Sequence, residues 1–443
     1  MPILSKEEAQ ALLKKVLSYS KAEECEASLF GSEGGNIRYA LNAVSTAGDI
    51  STTGLSVTSA YGKKSASANI DEFDDAALER VVRRSEELAQ LAPENPEREE
   101  MPGPATFKES ITYNPKTAAM TPDTRAELVR QSLDVTKKAN LSAAGFLENS
   151  TTFGAVMNSK GFFAYDKSTD VIFSVTTRND AGTASGYAAR GFTDVSKLDT
   201  ESATRIATMK ANASIGARAL EPGKYTVILE PVAATYLLEN MFRFDARSAD
   251  EGRSFLSKKG GGTRVGEQLM DEKVTIYSDP FDPDLPASTW GRDGLPREKT
   301  VWIDKGVVKT LSYNRYYAKK KGVAPQPGPG NIIMMGGNTS LEEMIKSTER
   351  GILVSRLWYI RMVDPQVLLL TGLTRDGTFY IENGEIKFPV KNFRFNESPV
   401  IMLNNLEALG KPERSISVES YQSYMIPPMK VRDFTFSSLS DAV

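Results

Sequence analysis

Residues 225–250 read YTVILEPVAATYLLENMFRFDARSAD. The apolar, β-branched run 225–229 predicts a strand, which enters Glu230-Pro231 directly. Proline suits the first turn of a helix, where its missing N–H costs no hydrogen bond. Leu237, Met241 and Phe244 then fall at i, i+4 and i+7, one apolar stripe. A helix leaving a buried strand is a common mount for metal ligands or catalytic carboxylates, and this one carries Glu239, Asn240 and Asp245. It carries no histidine, and neither does any other part of the chain. A Ser-His-Asp triad, a Cys-His pair and an imidazole zinc ligand are thereby excluded. Any general base must be Asp, Glu, Lys or Tyr.

Downstream the signals are those of β structure. Residues 274–278, 299–304, 307–312, 352–362, 366–374, 377–382, 385–389 and 390–396 read as strands, with a last one after Pro427-Pro428. Asp304-Lys305-Gly306, Arg375-Asp376-Gly377 and Asn383-Gly384 read as hairpin turns, Asn-Gly being the strongest such signal. Ser340 with Glu343 three residues on marks a short capped helix. Upstream, Ser5 with Glu8 caps a helix over 5–19. Short strands follow at 26–30, 36–42, 54–61 and 65–70, and Asp74 caps a helix over 75–91. After a Pro- and Glu-rich crossing segment (93–104) the pattern recurs. It gives a helix over 122–139, strands at 143–150, 153–158, 162–167, 170–178 and 185–192, and a helix capped by Asp199. The expected fold class is α+β: a duplicated helix–antiparallel-strands–helix unit, then a large antiparallel β domain, barrel or sandwich. The expected domains are 1–104, 105–222 and 223–443.

A chain of 443 residues has room for two or three domains, and 40% apolar with 25% charged residues is ordinary globular composition. With 54 basic against 57 acidic residues the net charge is −3. That balance speaks against a nucleic-acid binder, which needs a basic surplus to neutralise phosphates. Lys319-Lys320-Lys321 reads as a solvated turn. The single cysteine, Cys25, reads as a small buried hydrophobe and fits a reducing, cytoplasmic setting. The N-terminal stretch has no apolar leader core, and no segment has the length of a membrane span.

Four longer stretches carry a resemblance: 225–242, YTVILEPVAATYLLENMF; 261–279, GGTRVGEQLMDEKVTIYSD; 293–318, DGLPREKTVWIDKGVVKTLSYNRYYA; and 337–357, GNTSLEEMIKSTERGILVSRL, followed by 377–395. Together, and in this order, they resemble the TldD/PmbA family, once described as modulators of DNA gyrase and understood as metalloproteases. The resemblance implies dimers around an internal cavity that admits unfolded peptide. It implies two kinds of subunit. TldD-like chains carry a zinc motif, His-Glu-x-x-x-His, plus a C-terminal cysteine ligand. PmbA-like (TldE-like) chains lack the motif and pair with the first kind. Here the motif positions hold Glu239, Asn240 and Phe244, and no cysteine follows Cys25. The implied role is a PmbA-like subunit without its own zinc, zinc being expected only in a TldD-like partner; whether this chain is an enzyme is left open. The alternatives are a homodimeric peptide- or small-molecule-binding protein that has lost protease chemistry, and an enzyme working through carboxylates.

Other features bear on the same site. Glu230, Glu239 and Asp245 are candidates for a hard-cation site. On one helix, however, Glu239 and Asp245 point roughly 120° apart. Residues 258–263 (KKGGGT) lack the order of a phosphate loop. By resemblance Gly261, Gly262 and Arg264 line the cleft, with Arg243. Trp358, Tyr359, Tyr313, Tyr316 and Tyr317 are candidates for lining a peptide cavity or for packing within sheets. A free strand edge inside such a cavity would take an extended peptide through backbone hydrogen bonds.

Overall fold

In the computed structural model, which describes residues 3–291 and 293–440, the N-terminal half is one sheet of six antiparallel strands. They are β1 (Glu24–Ala40), β2 (Ala43–Tyr61), β3 (Lys64–Ile70), β4 (Ser142–Asn158), β5 (Phe163–Arg178) and β6 (Ser185–Phe192). Their order is β3-β2-β1-β4-β5-β6, so the two repeats share one sheet and join through their first strands. Helices α1 (Lys6–Ser18) and α2 (Asp75–Leu91) cover the first repeat. A short α3 (Pro115–Ala118), α4 (Pro122–Lys138) and α5 (Thr200–Ala213) cover the second. Each repeat has its own core: Leu13, Leu29, Val57 and Leu78 in the first, Val129, Leu147, Phe173 and Ala207 in the second. The local starts follow the sequence. Ser5 and Glu8 form a reciprocal capping box, and Asp74 and Asp199 each accept from the third residue on.

The strands are longer than the alternation predicts. Residues 26–30 and most of 36–42 are parts of one strand, which ends at Ala40 before a turn at Leu41-Asn42; 143–150 with 153–158, and 163–167 with 170–178, likewise merge. The glycines at 31, 34 and 35 look like a break in the sequence. In the sheet they sit where other groups lie over the backbone. A Cβ on Gly31 would meet the Phe153 ring at 2.3 Å, and one on Gly34 would meet the Asn149 carbonyl at 2.2 Å.

The C-terminal half contains strands β7 (Gly223–Leu229), β8 (Ile276–Ser278), β9 (Thr300–Asp304), β10 (Val307–Val308) and β11 (Ile333–Met334). After these come β12 (Arg350–Asp364), β13 (Leu369–Glu382), β14 (Glu385–Pro389) and β15 (Phe393–Glu397). The last four are β16 (Leu406–Leu409), β17 (Glu413–Ser417), β18 (Gln422–Ile426) and β19 (Met429–Leu439). Five of them close a barrel: β12-β7-β19-β15-β13, with β13 returning to pair with β12. One pairing, β12 with β7, is parallel. Phe393, Phe395, Phe434 and Phe436 are buried at its centre, with Phe393 and Phe436 stacked at 4.6 Å. A second sheet runs β10-β9-β8-β11-β18-β17. Asn383-Gly384 and Lys305-Gly306 make the expected two-residue turns, with positive φ at both positions.

Arg375-Asp376-Gly377 is not a turn. Residues 366–382, read as two strands, contribute one, and the pairing with β12 shifts register across Val354 and Arg356. At this bulge Asp376 has φ +54° and Gly377 φ +129°. The distortion turns the Asp376 carboxylate inward. It accepts from Arg356 Nη1 at 2.7 Å and from the Ser185 hydroxyl of β6 at 2.7 Å. Asp376 is 2% exposed and Arg356 8%. The Arg356 guanidinium also lies 3.7 Å from the centre of the Tyr187 ring. This buried pair therefore joins the barrel to the N-terminal sheet.

Residues 93–104 form an extended strap across the same seam. Arg98 pairs with Glu24. Glu97 accepts both Arg247 Nη atoms at 2.7 and 2.9 Å, and Glu99 pairs with Lys319 at 3.0 Å. No helix among the described residues is long and apolar enough to cross a membrane.

Replacing Arg356 by Met should destabilise the fold by about 3–5 kcal/mol, because it strands the Asp376 carboxylate in the interior. The double variant Arg356→Met with Asp376→Leu should recover much of that loss. Equilibrium denaturation of the three proteins measures both effects.

Candidate functional site

The strand β7 ends at Leu229 and Pro231 starts helix α6 (Pro231–Leu238), as the sequence leads one to expect. The helix then stops after two turns. Glu239–Met241 is a single 3-10 turn. The backbone is extended at Asp245, whose carboxylate caps α7 (Ala246–Asp250) by accepting from Ser248 N at 2.7 Å. Leu237, Met241 and Phe244 are all buried, but they do not form one helical stripe. Beyond the turn a distant segment takes the backbone bonds. Ser312 donates its N–H to the Phe244 carbonyl at 2.6 Å, and Ala246 N donates to the Ser312 carbonyl. Asp245 thus forms a parallel β-bridge with Ser312 of a distant segment instead of continuing the helix.

The motif positions face different surroundings. Phe244 is 1% exposed, and its ring stacks on Trp302 with centroids 5.1 Å apart and planes 2° apart. Trp302 is itself fixed, donating Nε1–H to the Ser278 hydroxyl at 2.7 Å. Asn240 donates to the carbonyls of Tyr236 and Leu237 at 3.2 and 3.4 Å. The Glu239 carboxylate accepts from Ser420 at 2.9 Å and Ser417 at 3.2 Å. Burial pushes its pKa above the ordinary carboxylate range, the two hydroxyls oppose that shift, and the nearby Glu419 adds to it.

Glu239, Asn240 and Arg243 open onto a cleft of about 620 Å³. Phe242 and Tyr424, with ring centroids 5.5 Å apart, form its apolar side, and Ser420 and Ser423 its polar side. Phe244, Gly261, Gly262 and Arg264 do not line it. The glycines lie in a tight loop closed by Lys258 N to the Gly262 carbonyl at 2.9 Å, and Arg264 Nε donates to the Ser257 carbonyl. The three carboxylates considered together do not converge. Glu230 pairs with Lys210, Glu239 binds hydroxyls, and Asp245 caps a helix. The aromatic candidates also lie apart from the cleft. Tyr313 and Tyr317 stack on each other at 6.2 Å, and Trp358 packs under the Arg375 guanidinium at 4.1 Å. Cys25 is buried in the first core, and burial pushes its thiol pKa up.

The sequence reading missed the opposite wall. Ser417, Ser420 and Tyr424 belong to β17, β18 and their connection, which it left unassigned. Residues 413–417 (ERSIS) carry one apolar residue, Ile416, and no alternation, so no local pattern marks them. Tyr236 was also unremarked. Its hydroxyl accepts from Val418 N at 3.3 Å, tying α6 to this wall.

Comparison with known proteins agrees with this architecture along the chain. Sequence profiles for the PmbA/TldA metallopeptidase domain 1, central domain and C-terminal domain match residues 25–89, 115–220 and 222–438. The crystal structure of TldE from Thermococcus kodakarensis superposes with a TM-score of 0.86 at 20% identity, covering 97% of this chain and 99% of that one. A metalloprotease of Methanothermobacter thermautotrophicus is 24% identical over 243 residues, 51% of each chain. The metalloprotease PmbA of Escherichia coli O157:H7 is 25% identical over 173 residues, 38% of this chain and 37% of its own length. The matched part thus spans about half of the first of these relatives and little over a third of the second.

Two measurements check the site. Phe244→Ala should cost about 3–5 kcal/mol, since it empties a stacked core position. Because folding raises the Glu239 pKa, the unfolded chain ionises it first as pH rises, and the charged form then works against the fold. Glu239→Gln should therefore be more stable than wild type at neutral pH. That gain should vanish as pH falls below the ordinary glutamate value of about 4.3. Thermal unfolding against pH reads this difference.

Proposed function

The chain belongs to the PmbA/TldA metallopeptidase family, and within it we propose that it is the PmbA-like, TldE-like subunit of a cytoplasmic peptide-processing assembly. In this reading it pairs with a TldD-like chain that carries the zinc, completes the enclosed chamber and helps to hold an unfolded peptide. It does not cleave bonds itself.

The observation that carries the reading is Phe244. The second histidine position of the family motif is here a ring built into the core against Trp302, on backbone that has already left the helix. A zinc ion needs about four nitrogen, sulfur or oxygen ligands around one point. The residues at these positions do not fit it. Phe244 offers no donor, Asn240 turns its amide to helix carbonyls, and Glu239 is engaged by two hydroxyls. What remains suits binding: a cleft with one carboxylate, hydroxyls and an aromatic side.

Co-expression with a TldD-like chain from the same organism tests the proposal. The two should co-purify, zinc should follow the partner's histidines, and peptide cleavage should need both chains. The isolated chain, dialysed against zinc and then washed, should retain less than one equivalent by elemental analysis. Stoichiometric zinc in the isolated chain, or full cleavage by the partner alone, would refute it.

A further inference from the structure

Beyond the Glu239 cleft lies a second cavity of about 260 Å³, between the outer face of the N-terminal sheet and the C-terminal half. The two share Gly330, Asn331, Gln422 and Ser423 as common wall, so the cavity adjoins the cleft. It is lined by two arginines, Arg297 and Arg414.

Both guanidiniums are anchored by neutral groups. Arg297 donates Nε to the Gly328 carbonyl at 3.3 Å and Nη1 to the Trp290 carbonyl at 2.9 Å. Arg414 donates Nη1 to the Asp284 carbonyl at 2.6 Å, and its guanidinium lies 5.6 Å from the centre of the Phe192 ring. Its Nε is buried with no hydrogen-bond partner. Carbonyls fix the planes of these groups without cancelling their charge. Among the described residues neither arginine forms an ion pair, whereas Arg356 and Asp376 pair directly elsewhere in the same seam. Burial pushes the pKa of both arginines down, with acids at longer range opposing it.

Two carboxylates share the cavity. Asp166 accepts from Lys167 N at 3.0 Å, and Thr112 lies at 3.5 Å. Asp170 is pushed up by burial, against the pull of Arg414, and neither carboxylate makes a direct ion pair with either arginine. Two guanidiniums held in one cavity without a direct ion pair, one of them with an orphaned Nε–H, present planar forks that match a carboxylate.

We propose that the Arg297–Arg414 cavity is a carboxylate subsite that anchors a peptide lying in the adjoining Glu239 cleft. The inference rests on the peptide-holding part of the function proposed above and adds what is recognised. The carboxylate has two sources, a free chain end or an acidic side chain.

The test uses the full chain and three fluorescein-labelled, unstructured peptides of one neutral sequence. The first has a free C-terminus, the second is C-terminally amidated, and the third is amidated with one internal glutamate. Fluorescence anisotropy should show the first or the third binding about tenfold tighter than the second, the scale of a charge-assisted contact. The tighter of the two identifies the source. Arg414→Gln and Arg297→Gln should each reduce that preference, while affinity for the neutral amidated peptide stays as in wild type. That retained affinity also verifies that the variants fold. Equal binding of all three peptides, or a preference that survives both substitutions, overturns the subsite and leaves peptide holding intact. If no peptide binds, both ideas fall.

Discussion

The buried pair of Arg356 and Asp376 is the contact on which the arrangement turns. It joins β12 to β13, the pairing that closes the barrel, and fixes the bulge at residues 376–377. Through Ser185 and Tyr187 it docks β6 of the N-terminal sheet onto the barrel wall. The Tyr236 ring, 5.6 Å from the same guanidinium, brings α6 into the cluster just before Glu239. A buried ion pair adds little net stability compared with apolar side chains of similar volume. Its physical effect here is geometric, because the Ser185 hydroxyl and the Tyr187 ring of the sheet meet the two charged groups at fixed points on the barrel wall.

The cleft inherits that geometry. Its floor is the end of α6, placed by Tyr236, and its far wall is the β17–β18 connection, held through Val418. Glu239 sits between them, and its chemistry is that of its neighbours. Serine hydroxyls donate to a carboxylate and add no charge, and partial burial favours the protonated acid. The helix stop at Leu238 matters equally. Had the helix continued, positions 239 and 244 would stand on neighbouring turns of one rod. Instead Asp245 bridges to Ser312, and position 244 lies in the core.

The N-terminal half supplies more than a covering layer. Its two repeats share one sheet whose outer face walls the arginine cavity. The strap of residues 93–104 clamps that sheet to the C-terminal half by ion pairs at Arg98, Glu97 and Glu99. Most of these charges are partly exposed, so the strap is more sensitive to salt than the Arg356–Asp376 pair.

The sequence by itself determined what depends on neighbours along the chain. Helix starts at Ser5, Asp74 and Asp199 need only a side chain reaching its own first turn. The turns at Asn383-Gly384 and Lys305-Gly306 need only a backbone tolerant of positive φ. Strand periodicity, the doubled α+β pattern and the identities at 239, 240 and 244 are legible for the same reason. Tertiary structure decided what depends on distant partners. The glycines at 31, 34 and 35 lie within a continuous strand, where Phe153, Asn149 and the Asp49–Arg125 pair respectively leave no room for a side chain. Asp376-Gly377 is a bulge and not a turn because Arg356 and Ser185 require a carboxylate there. Beyond the turn at 239–241 the chain is extended at Asp245, where Ser312 of a distant segment takes the backbone bonds. Ser417, Ser420, Arg297 and Arg414 become site residues only because separate sheets bring them beside Glu239 or beside each other. No spacing along the chain encodes such a meeting, since it is set by packing across the fold.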